Sequence, residues 1–198
     1  MKVGLIVEGH GEERSARILI TRVLQALGSS LHPDILPAYR LSRGKLVKKE
    51  ELERTIELMA RKVGADGRIL VLLDADDDLP CELGPRLLEW ARSYRPDRDT
   101  SVVVANHEYE AWFLTAAESL RGKRGLPADL TPPAAPEGVR DAKGWLSHRM
   151  PDGYSETLDQ PALTSVFDLN VARRADSFDK FVREVGRLFG LSVPPRPT

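Results

Sequence analysis

The 198 residues carry 41% hydrophobic and 30% charged side chains, enough apolar content to bury a real core, and they predict one compact domain with a helical appendage. A formal net charge of −1 gives the surface as a whole no general pull on phosphate backbones, so any nucleic-acid contact must come from local basic patches. The single cysteine, Cys81, excludes an intrachain disulfide and a cysteine-built zinc cluster. No run approaches the roughly 18 apolar residues of a membrane span, and the N-terminus lacks the long apolar stretch of a signal peptide, so the expectation is a cytoplasmic protein with no membrane association.

Lys2 to Val7 is a short apolar run. After Gly9 and Gly11 the period becomes helical, with Ala16, Leu19, Val23, Leu24 and Leu27 on one face, which predicts strand, tight turn and helix. Gly28 and Ser29-Ser30 stop that helix, and Ile35 to Leu41 forms a second, weaker strand before a basic turn with Arg40, Arg43, Lys45, Lys48 and Lys49. A second helix carries Leu52, Ile56, Met59, Ala60 and Val63 and ends at Gly64. Arg68 to Asp74 (RILVLLD) is continuously apolar, as a central strand of a parallel sheet buried on both faces would be. Leu83, Leu87, Ala91 and Tyr94 mark a third helix, Ser101 to Ala105 a fourth strand, and Glu108 to Ala117 the start of a fourth helix. The alternation predicts an α/β fold of Rossmann-like type, a mostly parallel four-stranded sheet flanked by helices, over residues 1–122.

Residues 123–198 read as a proline-rich loop followed by a helical extension packed on that core. Residues 125–139 (GLPADLTPPAAPEGV) have no period and suggest an extended loop or linker. Phe178, Phe181, Val182, Val185, Leu188 and Phe189 recur at helical spacing, as a final amphipathic helix requires. The closing residues VPPRPT, 193–198, cannot continue it and read as a frayed tail.

In an open α/β sheet, ligands bind beyond the carboxyl ends of the strands, and the acids of this chain fall there. Glu8 follows the first strand and Asp74 ends the third. Asp76 and Asp78 follow Asp74 at a spacing that aims carboxylates the same way while the chain stays extended, and Glu108 and Glu110 follow the fourth strand. Carboxylates converging at one edge repel unless a cation or protons compensate, and oxygen-only ligands favour magnesium or manganese. Glu12 stands either as a ligand or as an acid suited to the helix dipole, Glu110 either as a ligand or on an exposed helix face. Asp77 and Asp78 are read as helix caps or solvated residues, and Trp112 and Phe113 as core. His10 and His107, beside these acids, are read as exposed loop histidines or as proton-transfer groups. The turn Gly9-His10-Gly11-Glu12-Glu13-Arg14 departs from a dinucleotide fingerprint, since Arg14 replaces the third glycine.

The run VEGHGE at 7–12 with Asp74-Ala75-Asp76 resembles the Toprim domain of topoisomerases, bacterial primases and overcoming-lysogenization-defect nucleases. With HEYEAWF at 107–113, KGWL at 143–146 and ARRADSFDKF at 172–181, the chain is more narrowly similar to the Toprim-like bacterial family called domain of unknown function 4276. The resemblance implies catalytic roles for Glu8, Asp74 and Asp76, metal ligation by Glu8, Glu12, Asp74 and Asp76 with Glu110 as a supplementary ligand, and Mg2+ or Mn2+ as cofactor. It implies a metal-dependent nuclease acting on nucleic acid, one component of a defence system with a partner ATPase. Substrate phosphates would be held by basic residues, with Arg40, Arg43, Lys45, Arg173 and Arg174 as candidates. A non-catalytic interaction or effector subunit, and binding or hydrolysis of a free nucleotide, are the alternatives. Oligomeric state is not legible in the sequence.

Overall fold

The computed structural model describes residues 1–197. Its centre is a fully parallel sheet built from β1 (Lys2–Val7), β2 (Asp34–Ile35), β3 (Tyr39–Arg40), β4 (Arg68–Asp74) and β5 (Asp99–Ala105). The strand order is β2-β1-β4-β5, with β3 also on β1 beyond β2, so β1 and β4 are central as their continuous apolar runs require. The one predicted second strand is two short strands. Pro37 has no N–H to give the ladder, and the chain leaves β1 after the Leu36 N–H reaches the Val3 carbonyl, returning at Tyr39.

Alternation along the strands divides the interior between two faces. Val3, Leu5 and Val7 of β1, Leu70 and Leu72 of β4, and Val103 and Ala105 of β5 point to one face. Ile6, Ile69, Val71, Leu73, Val102 and Val104 point to the other. The second face is covered by α3 (Lys49–Val63) and α4 (Pro80–Tyr94). α3 buries Leu52, Ile56, Met59, Ala60 and Val63, keeps pairs such as Glu57–Arg61 (2.7 Å) outside, and ends at Gly64 with φ +76°, a conformation open to glycine. A short helix, α2 (Arg43–Leu46), precedes α3 inside the predicted basic turn.

The first face is covered by α1 (Glu12–Ala26), α5 (Ala111–Thr115) and α9 (Asp176–Phe189), with α6 (Ala142–Ser147), α7 (Asp159–Thr164) and α8 (Leu169–Ala172) along the connection. The predicted fourth helix is only five residues of α-helix, with a 3-10 turn after it at Ala117–Leu120. Trp112 and Phe113 are fully buried, as expected of core residues. Trp112 meets Phe178 edge-on at 5.1 Å and donates its indole N–H to Ser177 Oγ at 2.7 Å, which anchors the extension to the core. The proline-rich stretch is less of a linker than its composition suggests, because Leu126 and Leu130 are buried in the same cluster. The tail has no regular structure over 193–197 yet is tied down: Arg173 donates to the Pro194 carbonyl at 2.8 Å and Arg196 pairs with Asp176. The last predicted tail residue, Thr198, lies outside the described residues. Among the described residues no helix is long and apolar enough to cross a membrane.

Candidate functional site

The carboxyl ends of β1 and β4 open into a cavity of about 250 Å3 lined by Glu8, Gly9, Glu12, Asp74 and, on its rim, Arg40, Arg43, Lys143 and Glu156. Each acid arrives by a different local device. Glu8 is the first residue after β1, half-buried, and its Oε2 is enclosed without a hydrogen-bond partner. Burial raises its pKa, with Asp76 and Glu12 adding to the rise and Arg43 opposing it. Glu12 opens α1, as the helix-dipole reading expects, and lines the cavity. Its side chain turns back so that Oε2 accepts the Gly9 N–H at 2.5 Å, and Oε1 accepts from Gln160 Nε2 at 2.9 Å.

The glycines of the turn are there for clearance. A Cβ on Gly9 would lie 2.3 Å from Glu12 Oε2, and one on Gly11 would lie 2.5 Å from Gln160 Oε1 and 2.8 Å from the Glu156 carbonyl. Gly9 and Gly11 are thus the seats of a folded-back carboxylate and of the incoming extension.

Asp74 closes β4 and is buried. Its Oδ1 accepts the Tyr109 N–H at 2.8 Å and its Oδ2 lies 3.8 Å from Lys143 Nζ. Burial, then the neighbouring Glu12 and Glu110, push its carboxyl well above the usual range, and Lys143 only partly offsets them. Glu110, at the start of α5, is fully buried, which overturns the exposed-face reading. Its Oε1 accepts from the Tyr154 hydroxyl at 2.7 Å and Gln160 Nε2 at 3.0 Å, while Oε2 has no partner. Burial pushes its pKa up to about 7 against Lys143 and these neutral donors. Glu110 stands behind the cavity and does not line it.

Asp76 is the predicted site acid that the fold draws aside. The backbone turns at Asp76 with φ +49°, its carbonyl accepts from His107 Nδ1 at 2.7 Å, and its half-exposed carboxylate faces Arg43 Nε at 3.0 Å. Arg43 also donates to the Asp74 carbonyl, to the Ala75 carbonyl at 2.7 Å and to Asp78 at 2.5 Å, so this guanidinium staples the end of β4. Of the two readings of Asp77 and Asp78, that of solvated residues holds and that of helix caps does not. Leu79 caps α4 without a side-chain bond, Asp78 turns to Arg43, and Asp77, largely exposed, pairs with Arg140. Of the other basic candidates, Arg40 reaches the rim and pairs loosely with Glu13 at 3.7 Å. Arg173 is buried against Asp179 at 2.8 Å, and Arg174 lines a separate cavity beside the proline-rich stretch.

Lys143, Tyr154, Glu156 and Gln160 belong to the extension and were missed by the sequence reading, although Lys143 stands in the KGWL segment. Asp141 caps α6 by accepting the Gly144 N–H at 2.8 Å, and Glu108 accepts the Lys143 N–H at 2.9 Å, so Lys143 is aimed inward by two carboxylates. Its ammonium contacts Glu156 at 2.7 Å. Burial alone would depress its pKa, but Glu110, Asp74 and Glu156 outweigh burial and hold it above the ordinary lysine value. Gln160 has no local signal in the sequence; its amide bridges Glu12 and Glu110.

Burial first, and then the neighbouring carboxylates, raise the carboxyl pKa values of the cluster, and Arg43 and Lys143 only partly offset them. Among the described residues no three His, Cys, Asp or Glu side chains are already converged as metal ligands, since Glu12 is held by Gly9 and Gln160 and Asp76 by Arg43. The donors able to take a hard cation are Glu8, through its unpartnered Oε2, and Asp74, through the oxygen facing Lys143. No curated protein and no solved structure matches the chain. The family described as Domain of unknown function (DUF4276) matches residues 7–186, from the last residue of β1 to within α9, and the chain belongs to that family.

Proposed function

We propose that the protein is a divalent-metal-dependent phosphodiesterase of nuclease type, with Glu8, Asp74 and Lys143 at its centre. The observation that carries this reading is the undercompensated carboxylate cluster beneath a cationic rim. Glu8 and Asp74 share one cavity with Glu12, their pKa values are raised, and Arg40 and Lys143 stand at its mouth. The oxygen-only donor set suits Mg2+ or Mn2+, which when bound to Glu8 and Asp74 would supply Lewis-acid stabilisation of charge on a phosphodiester oxygen.

The chain's own residues supply the rest. Glu8, whose pKa is displaced upward, is suited to take a proton from the attacking water at Oε1, the oxygen that a cation on Oε2 would leave free, as the P–O bond to the leaving strand breaks. Lys143, fixed between Asp74 and Glu156, presents a permanent cation to a phosphate oxygen. Arg40, half-exposed at the mouth, is placed to meet the next phosphate of a strand. Glu110 and then Asp74 keep Lys143 charged, while the Tyr109 N–H fixes the orientation of Asp74.

The test is cleavage of plasmid DNA and of single-stranded RNA with Mg2+ or Mn2+. Cleavage should be lost in Glu8→Gln and Asp74→Asn, while both variants keep the wild-type circular dichroism spectrum. Equal behaviour of wild type and variants would sink the proposal. One observation favours the second reading, a non-catalytic interaction subunit: Glu12 and Asp76 are already engaged by protein donors. Calorimetry separates the two, because an interaction subunit that binds no metal gives no Mn2+ heat that Asp74→Asn removes. A partner ATPase belongs to the same proposal, and co-purification tests it.

A further inference from the structure

The sheet has one open edge on a long strand, at β5. The Ala105 carbonyl accepts the Ala75 N–H at 2.9 Å, so residues 101, 103 and 105 turn their backbone groups towards β4 and residues 100, 102 and 104 turn theirs outward. At the start of the strand that edge is closed, because the Thr100 carbonyl accepts from Arg187 at 3.1 Å and from Arg92 at 3.5 Å. At its far end Asn106 is tied to the Glu137 carbonyl at 3.1 Å. Between these stops, the outward N–H and C=O groups of Val102 and Val104 have no hydrogen-bond partner among the described residues. They face a groove of about 610 Å3 between α4 and α9, the largest cavity described.

Backbone polar groups recessed in a mostly apolar groove are a template for another strand. The two walls differ. α4 offers Leu79, Pro80, Pro85 and Leu88, with Leu79 more than half exposed. α9 offers Lys180 and Arg183, with side chains 44% and 57% exposed. Their carboxylate partners, Glu184 and Asp179, are buried and shared with Arg187 and Arg173, so the exposed ends on this wall are cationic. The two acids at the far end are engaged, Glu137 by the backbone N–H groups of Asp176 and Ser177 and Asp176 by Arg196.

We infer that β5 binds an extended segment of a partner protein by strand addition, with alternating apolar and acidic side chains. Successive side chains of an added strand point to opposite faces, so apolar residues would meet α4 and acidic residues would meet Lys180 and Arg183. This inference is independent of the chemistry at Glu8 and Asp74.

The test uses three fluorescein-labelled probes: acetyl-Val-Glu-Val-Glu-Val-Glu amide, its lysine counterpart, and the acidic peptide N-methylated at alternate residues. Fluorescence anisotropy with the full chain should show the acidic probe binding at least about tenfold tighter than the basic one, and the N-methylated probe losing binding. A Lys180→Glu/Arg183→Glu variant, checked by its melting curve, should reverse the charge preference. Hydrogen exchange at the Val102 and Val104 amides should slow on binding. If that double variant is unfolded, Lys180→Gln serves for the charge test, and the exchange measurement on wild type decides alone. Absence of binding, equal binding of the N-methylated probe, or unchanged exchange at Val102 and Val104 would overturn the inference. So would a concentration-dependent dimer that the acidic probe does not dissociate, since a second copy would then occupy the edge.

Discussion

Two glutamates buried at opposite ends of β5 have opposite fates. Glu184, on α9 at the start of the strand, accepts from Ser101 Oγ at 2.5 Å and Arg187 at 2.9 Å and pairs with Lys180. Burial alone would raise its pKa, but these donors outweigh burial and hold it at about 2. Glu110, just past the end of β5, is met by a phenol and an amide, has one oxygen unpartnered, and is pushed up to about 7. The same side chain is a compensated structural anion where cations meet it near the surface and an undercompensated acid where it is fully enclosed. The difference marks a buried carboxyl that the fold leaves with neutral donors and one unpartnered oxygen.

The comparison breaks most sharply at Glu184. Glu184→Gln leaves Arg187 and Lys180 facing a neutral amide, and urea denaturation at pH 7 should show a loss of about 2 to 3 kcal/mol, the range for charge-assisted hydrogen bonds, because both cations are part-exposed and Arg187 keeps Asp99. Glu110→Gln should instead be neutral or stabilising at pH 7, since it removes a reluctant charge and keeps the hydrogen bonds. A loss comparable to that of Glu184→Gln would mean that the two sites do not differ as described.

The pH dependence has opposite signs at the two residues. Glu110 has a folded pKa of about 7 against an ordinary 4.5, so the folded state holds its proton longer than the unfolded chain does. Between these values stability should fall as pH rises, by about 3 kcal/mol from this group, and Glu110→Gln should flatten the slope. Glu184, depressed to about 2, contributes stability that is full above 4.5 and is lost as pH falls from 4.5 towards 2. Urea midpoints of wild type and both variants from pH 3 to pH 8 resolve the two limbs.

A smaller effect sharpens the contrast by filling the deficit. Mn2+ at about a hundred times its Kd should stabilise wild type by about 2.7 kcal/mol at pH 7, and should do nothing for Asp74→Asn. Thermal shift with and without chelator is the measurement. The smallest expected change is Gly9→Ala, whose new methyl group displaces the Glu12 carboxylate from the Gly9 N–H. A loss of about 1 kcal/mol is expected, with weaker metal binding, and an unchanged melting temperature would show that Glu12 is held elsewhere.

Most of the scaffold was legible because its signals are local. Apolar runs at β1 and β4 gave central strands, and helical periods at α1, α3, α4 and α9 gave the covering layers, since a buried strand and an amphipathic helix each write their environment into neighbouring residues. In the sequence the second strand reads as continuous over Ile35 to Leu41, and its break at Pro37 went unread. Glu8, Glu12 and Asp74 were legible as site acids because strand ends in a parallel sheet converge whatever the side chains are.

The direction of each carboxylate was decided only by tertiary structure. Asp76 keeps the spacing that should aim it with Asp74, yet a positive φ and Arg43, 33 positions earlier in the chain, turn it away. Glu110 looked like either a ligand or a surface acid, and Tyr154 and Gln160, brought from the far end of the chain, buried it. By itself the sequence determined the parallel sheet and the acids at its carboxyl edge, because strand periodicity and the order of elements are written in near neighbours. Lys143, Tyr154, Glu156 and Gln160 joined that edge only through tertiary packing, because charge balance in a buried site depends on which distant side chains the packed core carries into it.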